Sequence, residues 1–376
     1  EIKDIPKHWQ VKKFDDLLDY IQPTPFIVES TDYSDSYKTP VLTAGKSFVL
    51  GNTDERTGIF DSLPVIIFDD FTTANKFVNF PFKVKSSAMK ILKPKTGQNL
   101  KFVFYYMQTV HITFDTHKRY WISVFSQLPV PFPPMHEQKA IVAKIEELLS
   151  DLENGKKQLE TAQQQLKVYR QSLLKWAFEG KSLFPFEKII ESSQNGLSKR
   201  TGIMGFEYKV LRLADITNNS ISNSSPRKIK MDENEMDKYK IKKDDLICIR
   251  VNGSKDLVGK LIHVSNKNEA DNWAFCDHFI RFRLKSLNSC AKFYHFYFST
   301  LKVRKYIHDN MVTSAGQNTV SQGTIKKVLV PDCSIKEQQL IVSELESKLT
   351  VCDKIEETIS QSLKQAETLR QSILKK

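Results

Sequence analysis

Apolar residues return at every seventh position along two stretches of the chain. Ile145, Leu152, Leu159, Leu166 and Leu173 make one seam, and Leu148, Gly155, Ala162, Tyr169 and Trp176 make a companion seam beside it. A sustained seven-residue spacing predicts a long helix lying along one partner helix. Toward the end of the sequence Leu345, Cys352, Ile359, Ala366 and Ile373 repeat the first seam, whereas Lys348, Ile355, Ser362 and Leu369 fill the second less well. The helix starts are legible too. Ser334 with Glu337 three residues later fits a capping box, and Pro134 and Glu137 hold the matching places in the first stretch. Gly180 supplies the usual stop signal after the first helix. Two half-matched helices in one chain complete each other, and an antiparallel coiled coil is the economical arrangement.

The two stretches are copies. Residues 130–175 align with 330–375 at an offset of 200 without a gap, and 14 of the 46 columns are identical. They are Val130, Pro131, Glu137, Gln138, Ile141, Val142, Glu146, Leu149, Gln165, Arg170, Gln171, Ser172, Leu174 and Lys175 with their partners 200 positions on. Chance does not produce this.

A globular unit precedes each helix. In residues 1–134, Trp9, Val11, Phe14, Leu17, Leu18 and Ile21 predict a short strand or turn leading into an amphipathic helix. After a polar loop at 29–37, short apolar runs at 39–42, 48–50, 65–68, 77–84 and 88–92 are punctuated by Gly45, Gly51, Gly58 and Pro64. Such runs predict a curled mixed or antiparallel sheet, with the aromatic-rich stretch 100–110 as a helix against it. Residues 182–333 read as a second edition. Phe186, Ile189, Ile190 and Gln194 follow Phe14, Leu17, Leu18 and Gln22 at an offset of 172, Val210 and Leu211 resemble Val41 and Leu42, and Lys292 and Phe293 follow Lys101 and Phe102 at 191. The growing offset places insertions inside the second unit, chiefly at 218–243 ahead of a strand at 245–251. The expected fold is therefore α+β. Two tandem globular domains, 1–134 and 182–333, are separated by spacer helices at 135–181 and 334–376, in a pseudo-twofold arrangement. Helices that keep their register while the domains diverge imply that geometry is fixed in the helices and variety is carried in the domains.

Charge adds a partner class. The formal net charge is +12 with a sequence pI near 9.2, which favours a polyanion. The five cysteines (Cys248, Cys276, Cys290, Cys333 and Cys352) form no CxxC pair and suit reduced thiols in a cytosolic protein. No apolar run approaches 18 residues and no charged-then-apolar leader is present, so neither a membrane span nor secretion is expected. The first residue fits numbering that starts after an initiator methionine.

Catalytic motifs are missing where they would be needed. Asn79-Phe80-Pro81-Phe82 lacks the first proline of a methyltransferase Asn/Asp-Pro-Pro-aromatic loop, and no glycine-rich cofactor turn occurs. Gly45-Lys46-Ser47 lacks the earlier glycine of a phosphate-wrapping loop. Asp69 and Asp70 lack the Glu-x-Lys of a metal-dependent nuclease. Cys276, Asp277 and His278 are consecutive, which is expected to keep them from sharing a metal, so no metal or cofactor site is assigned.

The chain resembles the specificity subunits of type I DNA restriction-modification systems. The resemblance covers essentially all of it, through IPKHWQ, the junction LPVPFPPMHEQ with its echo VLVPDCSIKEQ, and the helix end YRQSLLKWAFEGK. FDDFTTANKFVNFPFKV and HKRYW in the first unit, and VLRLADI, KIKKDDLICIRVNGSKDLVGK and AGQNTVS in the second, also look like family segments. Cys333 and Ser334 stand where the first junction has Pro133 and Pro134, which departs from identical junction turns. The resemblance implies two target-recognition domains, each reading half of an interrupted double-stranded DNA sequence, on a chain that is itself non-catalytic and works in a prokaryotic cytoplasm. It implies docking of two modification subunits, which would carry S-adenosylmethionine, and of restriction subunits, which would carry ATP and Mg.

Reading DNA calls for Arg or Lys toward guanine, Asn or Gln toward adenine, and small polar groups toward phosphate, all presented on loops. Candidate loops in the second unit are Arg250, Asn252, Gly253, Ser254 and Lys255, then Gly316, Gln317 and Asn318, and a third beginning at Arg212 and Asp215. In the first unit they are Thr43, Gly45 and Lys46, and His117, Lys118, Arg119 and Tyr120; the latter group aligns with 317–320 at the helical offset. A structural adaptor with two protein-binding domains would explain the duplication, but neither the basic balance nor the paired polar glycine loops.

Overall fold

The central strand of each globular unit is buried on both faces, so it reads in sequence as an unbroken apolar run rather than an alternating one. In the computed structural model, which describes residues 5–45, 47–112, 119–202, 204–217, 220–221, 226–265, 273–285 and 289–375, contacts divide the chain into two units. One comprises residues 1–160 with 361–376, and the other residues 161–360.

In the first unit the central strand is Val65–Asp69. It lies between Asn75–Val78 and Met89–Pro94 in an antiparallel sheet completed by Leu18–Ile21. Ile66, Phe68 and Leu92 face one core, shared with Phe14, Val103, Trp121 and Phe125, of which Val103 belongs to the helix Leu100–Met107. The alternate residues Val65, Ile67 and Ile91 face a second core with Leu42, Phe60 and Phe82. That second core is closed by a three-stranded sheet in the order Val49–Thr53, Thr39–Leu42, Lys83–Val84, the last pair parallel.

The second unit repeats this plan. Leu246–Ile249 lies between Leu261–His263 and Phe279–Leu284, with Ile190–Asn195 outside. Leu246, Cys248, Ile280 and Phe282 share one core with Phe293 of the helix Ala291–Tyr297, while Ile247, Ile249 and Phe279 share the other with Val210, Trp273 and Phe275. The covering sheet is Arg227–Met231, Phe206–Leu211, Trp273–Phe275, and again its last pair is parallel. A mixed α/β architecture thus occurs twice. The strand expected at 245–251 is broken at Arg250, where Leu246–Ile249 gives way to Val251–Asn252.

The expected amphipathic helix near the start is only one turn, Phe14–Leu17, followed by the strand Leu18–Ile21. Pairing of that strand with Met89–Pro94 outweighs a helical spacing of apolar residues that only a few positions support. The long helices are Met135–Phe178 and Ile335–Lys375, and Gly180 follows the first with φ +73°. The first seam faces inward. Leu166 and Leu173 share a core with Leu345 and Cys352, Ile359 and Ala366 are buried, and Ile145, Leu152, Leu159 and Ile373 are half-buried. The companion seam does not: Leu148, Tyr169, Trp176, Ile355 and Leu369 are exposed. Among the described residues no helix is long and apolar enough to cross a membrane.

The repeated junction has a buried polar device that the motif reading missed. Gln138 is fully buried; its Oε1 accepts from the Asn99 N–H at 2.9 Å and its Nε2 donates to the Pro133 carbonyl at 2.8 Å. Gln338 does the same 200 residues on, accepting from the Cys290 N–H at 2.8 Å and donating to the Cys333 carbonyl at 2.9 Å. Each amide therefore ties the start of a short helix to the start of a long one. Glu146 pairs with Lys101 and Glu346 with Lys292, one turn or two farther along. The Glu337 N–H donates to Ser334 Oγ at 3.3 Å, the half of the capping box that forms, while the Glu337 carboxylate pairs with Lys181. Its counterpart Glu137 accepts from Trp9 Nε1 at 2.9 Å.

Gln138→Ala or Gln338→Ala removes both bonds of a buried amide and leaves a half-buried backbone N–H without its acceptor, so each is expected to cost about 1–3 kcal/mol. The midpoint of urea unfolding checks this, and an unchanged midpoint for both variants would refute the clamp.

Candidate nucleic-acid interface

In the second unit the central strand delivers the chain into a small three-stranded sheet. Val251–Asn252 pairs with Gln317–Thr319, which pairs with Val312–Ser314. The last two are joined by Ala315 (φ 46°) and Gly316 (φ 76°). Positive φ at both central residues is the type I′ hairpin geometry that matches strand twist, and it explains the glycine. Ser314 and Gln317 are exposed on this ribbon, as are Gly253, Ser254 and Lys255 on the neighbouring loop. A two-stranded ribbon is among the few elements that fit a DNA major groove.

Asn318 behaves differently. It is buried, its Nδ2 donates to the carbonyls of Gly253 at 2.9 Å and Asn252 at 3.3 Å, and its Oδ1 accepts from Thr313 Oγ1 at 2.7 Å. It locks one candidate loop to the other and offers nothing outward. Asn252 accepts from the Ser254 N–H at 2.8 Å, an Asx turn that shapes its own loop. The far end of that loop is held by Arg304, whose Nη2 donates to the carbonyls of Val258 at 2.7 Å and Asp256 at 3.2 Å. Gly259 then passes so close to Ile307 that a Cβ would meet it at 2.6 Å. Arg304 escaped the sequence reading because its partners lie more than forty residues away, with no local pattern to announce them.

Arg250 occupies the break between the strands. Its N–H donates to the His278 carbonyl at 2.7 Å, its carbonyl accepts from the Val320 N–H at 3.0 Å, and its guanidinium stays half-buried, 3.5 Å from the Asp277 carbonyl. Arg212 chelates Asp215, donating from Nε at 3.0 Å and Nη2 at 2.8 Å, and these hydrogen bonds to the carboxylate hold the arginine pKa above its usual range. Asp215 itself is buried, so it serves as an anchor for Arg212.

The first unit has the same backbone node with different chemistry. The Asp70 N–H donates to the Ala88 carbonyl at 2.9 Å, and its carbonyl accepts from the Tyr120 N–H at 2.9 Å. Asp70 is buried and its carboxylate takes the Trp121 N–H at 2.8 Å. Tyr120 is buried against this core and does not face outward as a reader would, whereas Arg119 is exposed. Thr43 and Gly45 form a turn in which the Gly45 N–H donates to Thr43 Oγ1 at 3.3 Å. Lys46, His117 and Lys118 lie outside the described residues.

Adjacency does not separate Cys276, Asp277 and His278, contrary to the sequence expectation. Their ligand atoms all lie within 4.8 Å of one another, because the tight turn into Phe279–Leu284 folds the side chains together. The Cys276 N–H bonds the Leu211 carbonyl, and burial pushes its thiol up, which keeps it protonated.

The sequence model of the type I restriction modification DNA specificity domain matches residues 6–161 and 191–365. The specificity subunit of the type I restriction enzyme StySPI of Salmonella potsdam is 37% identical over 266 residues, which cover 67% of this chain and 57% of that protein. The EcoR124I/EcoR124II specificity subunit of Escherichia coli is 41% identical over 181 residues, covering 43% of this chain and 45% of that one. The chain thus spans about half the length of these curated relatives. Among solved structures, a chain from a study of complex assembly and conformational transition of the type I R-M system superimposes with TM-score 0.71 at 15% identity, covering 100% of this chain and 98% of that one. The HsdS subunit from Thermoanaerobacter tengcongensis gives TM-score 0.60 at 14% identity, covering 99% and 96%. At such identities the likeness shows the fold.

Asn318→Ala removes three hydrogen bonds within the ribbon and between it and the neighbouring loop, with an expected loss of about 1–3 kcal/mol. Amide hydrogen exchange should then rise at residues 251–255 and 312–319 first; protection unchanged there would show that Asn318 does not hold the ribbon.

Proposed function

We propose that this chain, which belongs to the type I restriction modification DNA specificity domain family, is the non-catalytic, sequence-reading subunit of a type I restriction-modification enzyme in the prokaryotic cytoplasm. Residues 1–134 and 182–333 act as target-recognition domains, each reading half of a bipartite double-stranded DNA target. Residues 135–181 and 334–376 are the spacers. The observation that carries this reading is the constancy of the junction, with Gln138, Glu146, Gln338 and Glu346 in the same roles 200 residues apart, beside loops whose chemistry differs between the units. A fixed frame with two independently variable readers suits a target made of two unlike halves.

The long helices pair as an antiparallel coiled coil with pseudo-twofold character. Support comes from Arg170, which meets Asp353 at 2.7 Å and Glu356 at 3.0 Å, while Lys156, farther back on the first helix, lies 3.7 Å from Glu367, farther along the second. Ion pairs at this exposure contribute about 0–1 kcal/mol each, so they specify direction and register more than they stabilise. The exposed companion seam, with Leu148, Tyr169, Trp176, Ile355 and Leu369, and the exposed Val168 and Val351 outside it, offers apolar surface for docking two modification subunits. Those subunits supply the S-adenosylmethionine chemistry, and restriction subunits that join the assembly supply the ATP and Mg chemistry.

Base and phosphate contacts fall to the exposed or half-buried candidates. In the second unit these are Arg212, Arg250, Asn252, Gly253, Ser254, Lys255, Gly316 and Gln317. In the first they are Thr43, Gly45 and Arg119, and Lys46, His117 and Lys118 are assigned with them on the chemistry of their side chains alone. The excess of positive charge supports the DNA reading by supplying the salt-dependent attraction to phosphates.

Two measurements test the assignment. In the complex reconstituted with the cognate modification subunit, Arg250→Ala is expected to cost roughly 1–3 kcal/mol of discrimination at one position of the half-site read by the second unit, leaving the other half untouched. Methylated-site mapping reads this directly, and equal loss at both halves would contradict it. Inserting one helical turn, about 5.4 Å, at Gly155 should change the spacer between unchanged half-sites. A Cβ there meets nothing within 4 Å, so the position tolerates change. Altered half-sites with an unchanged spacer would overturn the role of the helices as a ruler.

A further inference from the structure

Beside the loops of the second unit lies a concave pocket of about 340 Å³ whose walls include Arg200, Arg212 and Arg227. The three arginines come from separate places in the fold. Arg200 follows the strand Ile190–Asn195, Arg212 ends Phe206–Leu211, and Arg227 begins the strand Arg227–Met231. Arg212 is engaged by Asp215, which orients it at the rim. Arg200 is exposed, and the Nε of Arg227 is buried with no hydrogen-bond partner among the described residues. A charged donor in that state is uncommon, because its desolvation is left uncompensated by the fold.

The chemistry of the pocket selects an anion. Asp277 is the one carboxylate among its described lining residues, and it lies 3.3 Å from His278 Nδ1. Arg212 is paired with Asp215, and Arg200 and Arg227 against Asp277 still leave the site positive, which disfavours a metal ion at the neighbouring Cys276-Asp277-His278 cluster. The remaining described walls are Leu197, Ser198, Leu213, Ala214 and Cys276 beside His278, with no Phe, Tyr or Trp on which an extruded base could stack. The pocket is also continuous with the loop at Arg250: the Arg250 N–H is bonded to the His278 carbonyl, so the turn that carries His278 is shared by both.

We propose that this pocket seats a phosphodiester group of the DNA backbone next to the half-site read by the second unit, with Arg200 and Arg227 as its principal ligands. This rests on the DNA-reading function above and adds to it a positioning contact that carries no sequence information. Such contacts fix the register of a reader on the duplex while base edges supply the specificity.

The test uses the full chain assembled with its modification subunits. Binding to a duplex carrying the target and to an unrelated duplex is measured across a series of salt concentrations for Arg200→Gln, Arg227→Gln and the matching lysine variants. Each glutamine variant is expected to weaken both duplexes by a similar factor of about 3 to 10 and to reduce the slope of log affinity against log salt by about 0.9, with the methylated sequence unchanged. The lysine variants keep the charge and should keep the slope. The proposal is overturned by an unaltered slope in both glutamine variants, by loss confined to the target duplex, or by an Arg227→Lys variant as impaired as Arg227→Gln, which would mark a packing role. If the unaltered complex showed no preference between the duplexes, the DNA-reading function itself would fall, a result separable from any of these.

Discussion

The buried amide of Gln138, and again that of Gln338, fixes how each globular unit meets its long helix. An amide can donate and accept at once, and each of these does both with backbone groups, one at the start of a short helix and one just before the long helix. Those backbone groups have no intrahelical partner of their own, so the glutamine meets a requirement that any residue at the position would otherwise leave open. Because the partners are backbone atoms, the clamp is indifferent to most of the sequence around it. That is the property a junction needs if the domain it holds is to diverge.

From the clamp inward, each unit is organised by a strand with two buried faces. Val65–Asp69 and Leu246–Ile249 divide their units into two cores, and the chain can leave the strand only at its end. There the polar residues accumulate. Arg250 emerges from the second unit's strand into the loop that Asn318 and Arg304 brace, and Asp70 emerges from the first unit's strand at the same backbone node. Burying a large apolar side chain contributes about 1.5–3 kcal/mol, so the several aromatic residues in each core outweigh the cost of bracing an exposed ribbon with buried polar groups.

The parts that were legible in the sequence are those with local periodicity or an internal copy. Seven-residue seams announced both long helices, the gapless offset announced the junction, and apolar runs between glycines announced the strands. The companion seam misled, since Leu148, Tyr169 and Trp176 satisfy the spacing yet stay exposed. Spacing records which face a residue shares and says nothing of what covers that face. The bracing groups were illegible for a related reason. Arg304 and Asn318 act on carbonyls far away in the chain, and a carbonyl leaves no trace in a residue's identity. Arg200 and Arg227 belong to a pocket assembled from separate segments, which no window of sequence brings together.

The node shared by Asp70 and Arg250 shows how one frame accommodates unlike chemistry. In both units the backbone of this residue bridges the turn before the next long strand and the residue 120 or 320, which are separated by the same 200 positions as the helices. The backbone bonds of the node place no demand on the type of side chain. In the first unit it turns inward as a carboxylate capping the Trp121 N–H; in the second it turns toward the surface as a guanidinium beside the exposed ribbon. Because the node is made by backbone groups, its side chain differs between the two units while the register of the strands around it is kept. Variation at such positions changes the chemistry that a unit presents, while the buried glutamines keep unchanged how that unit is held.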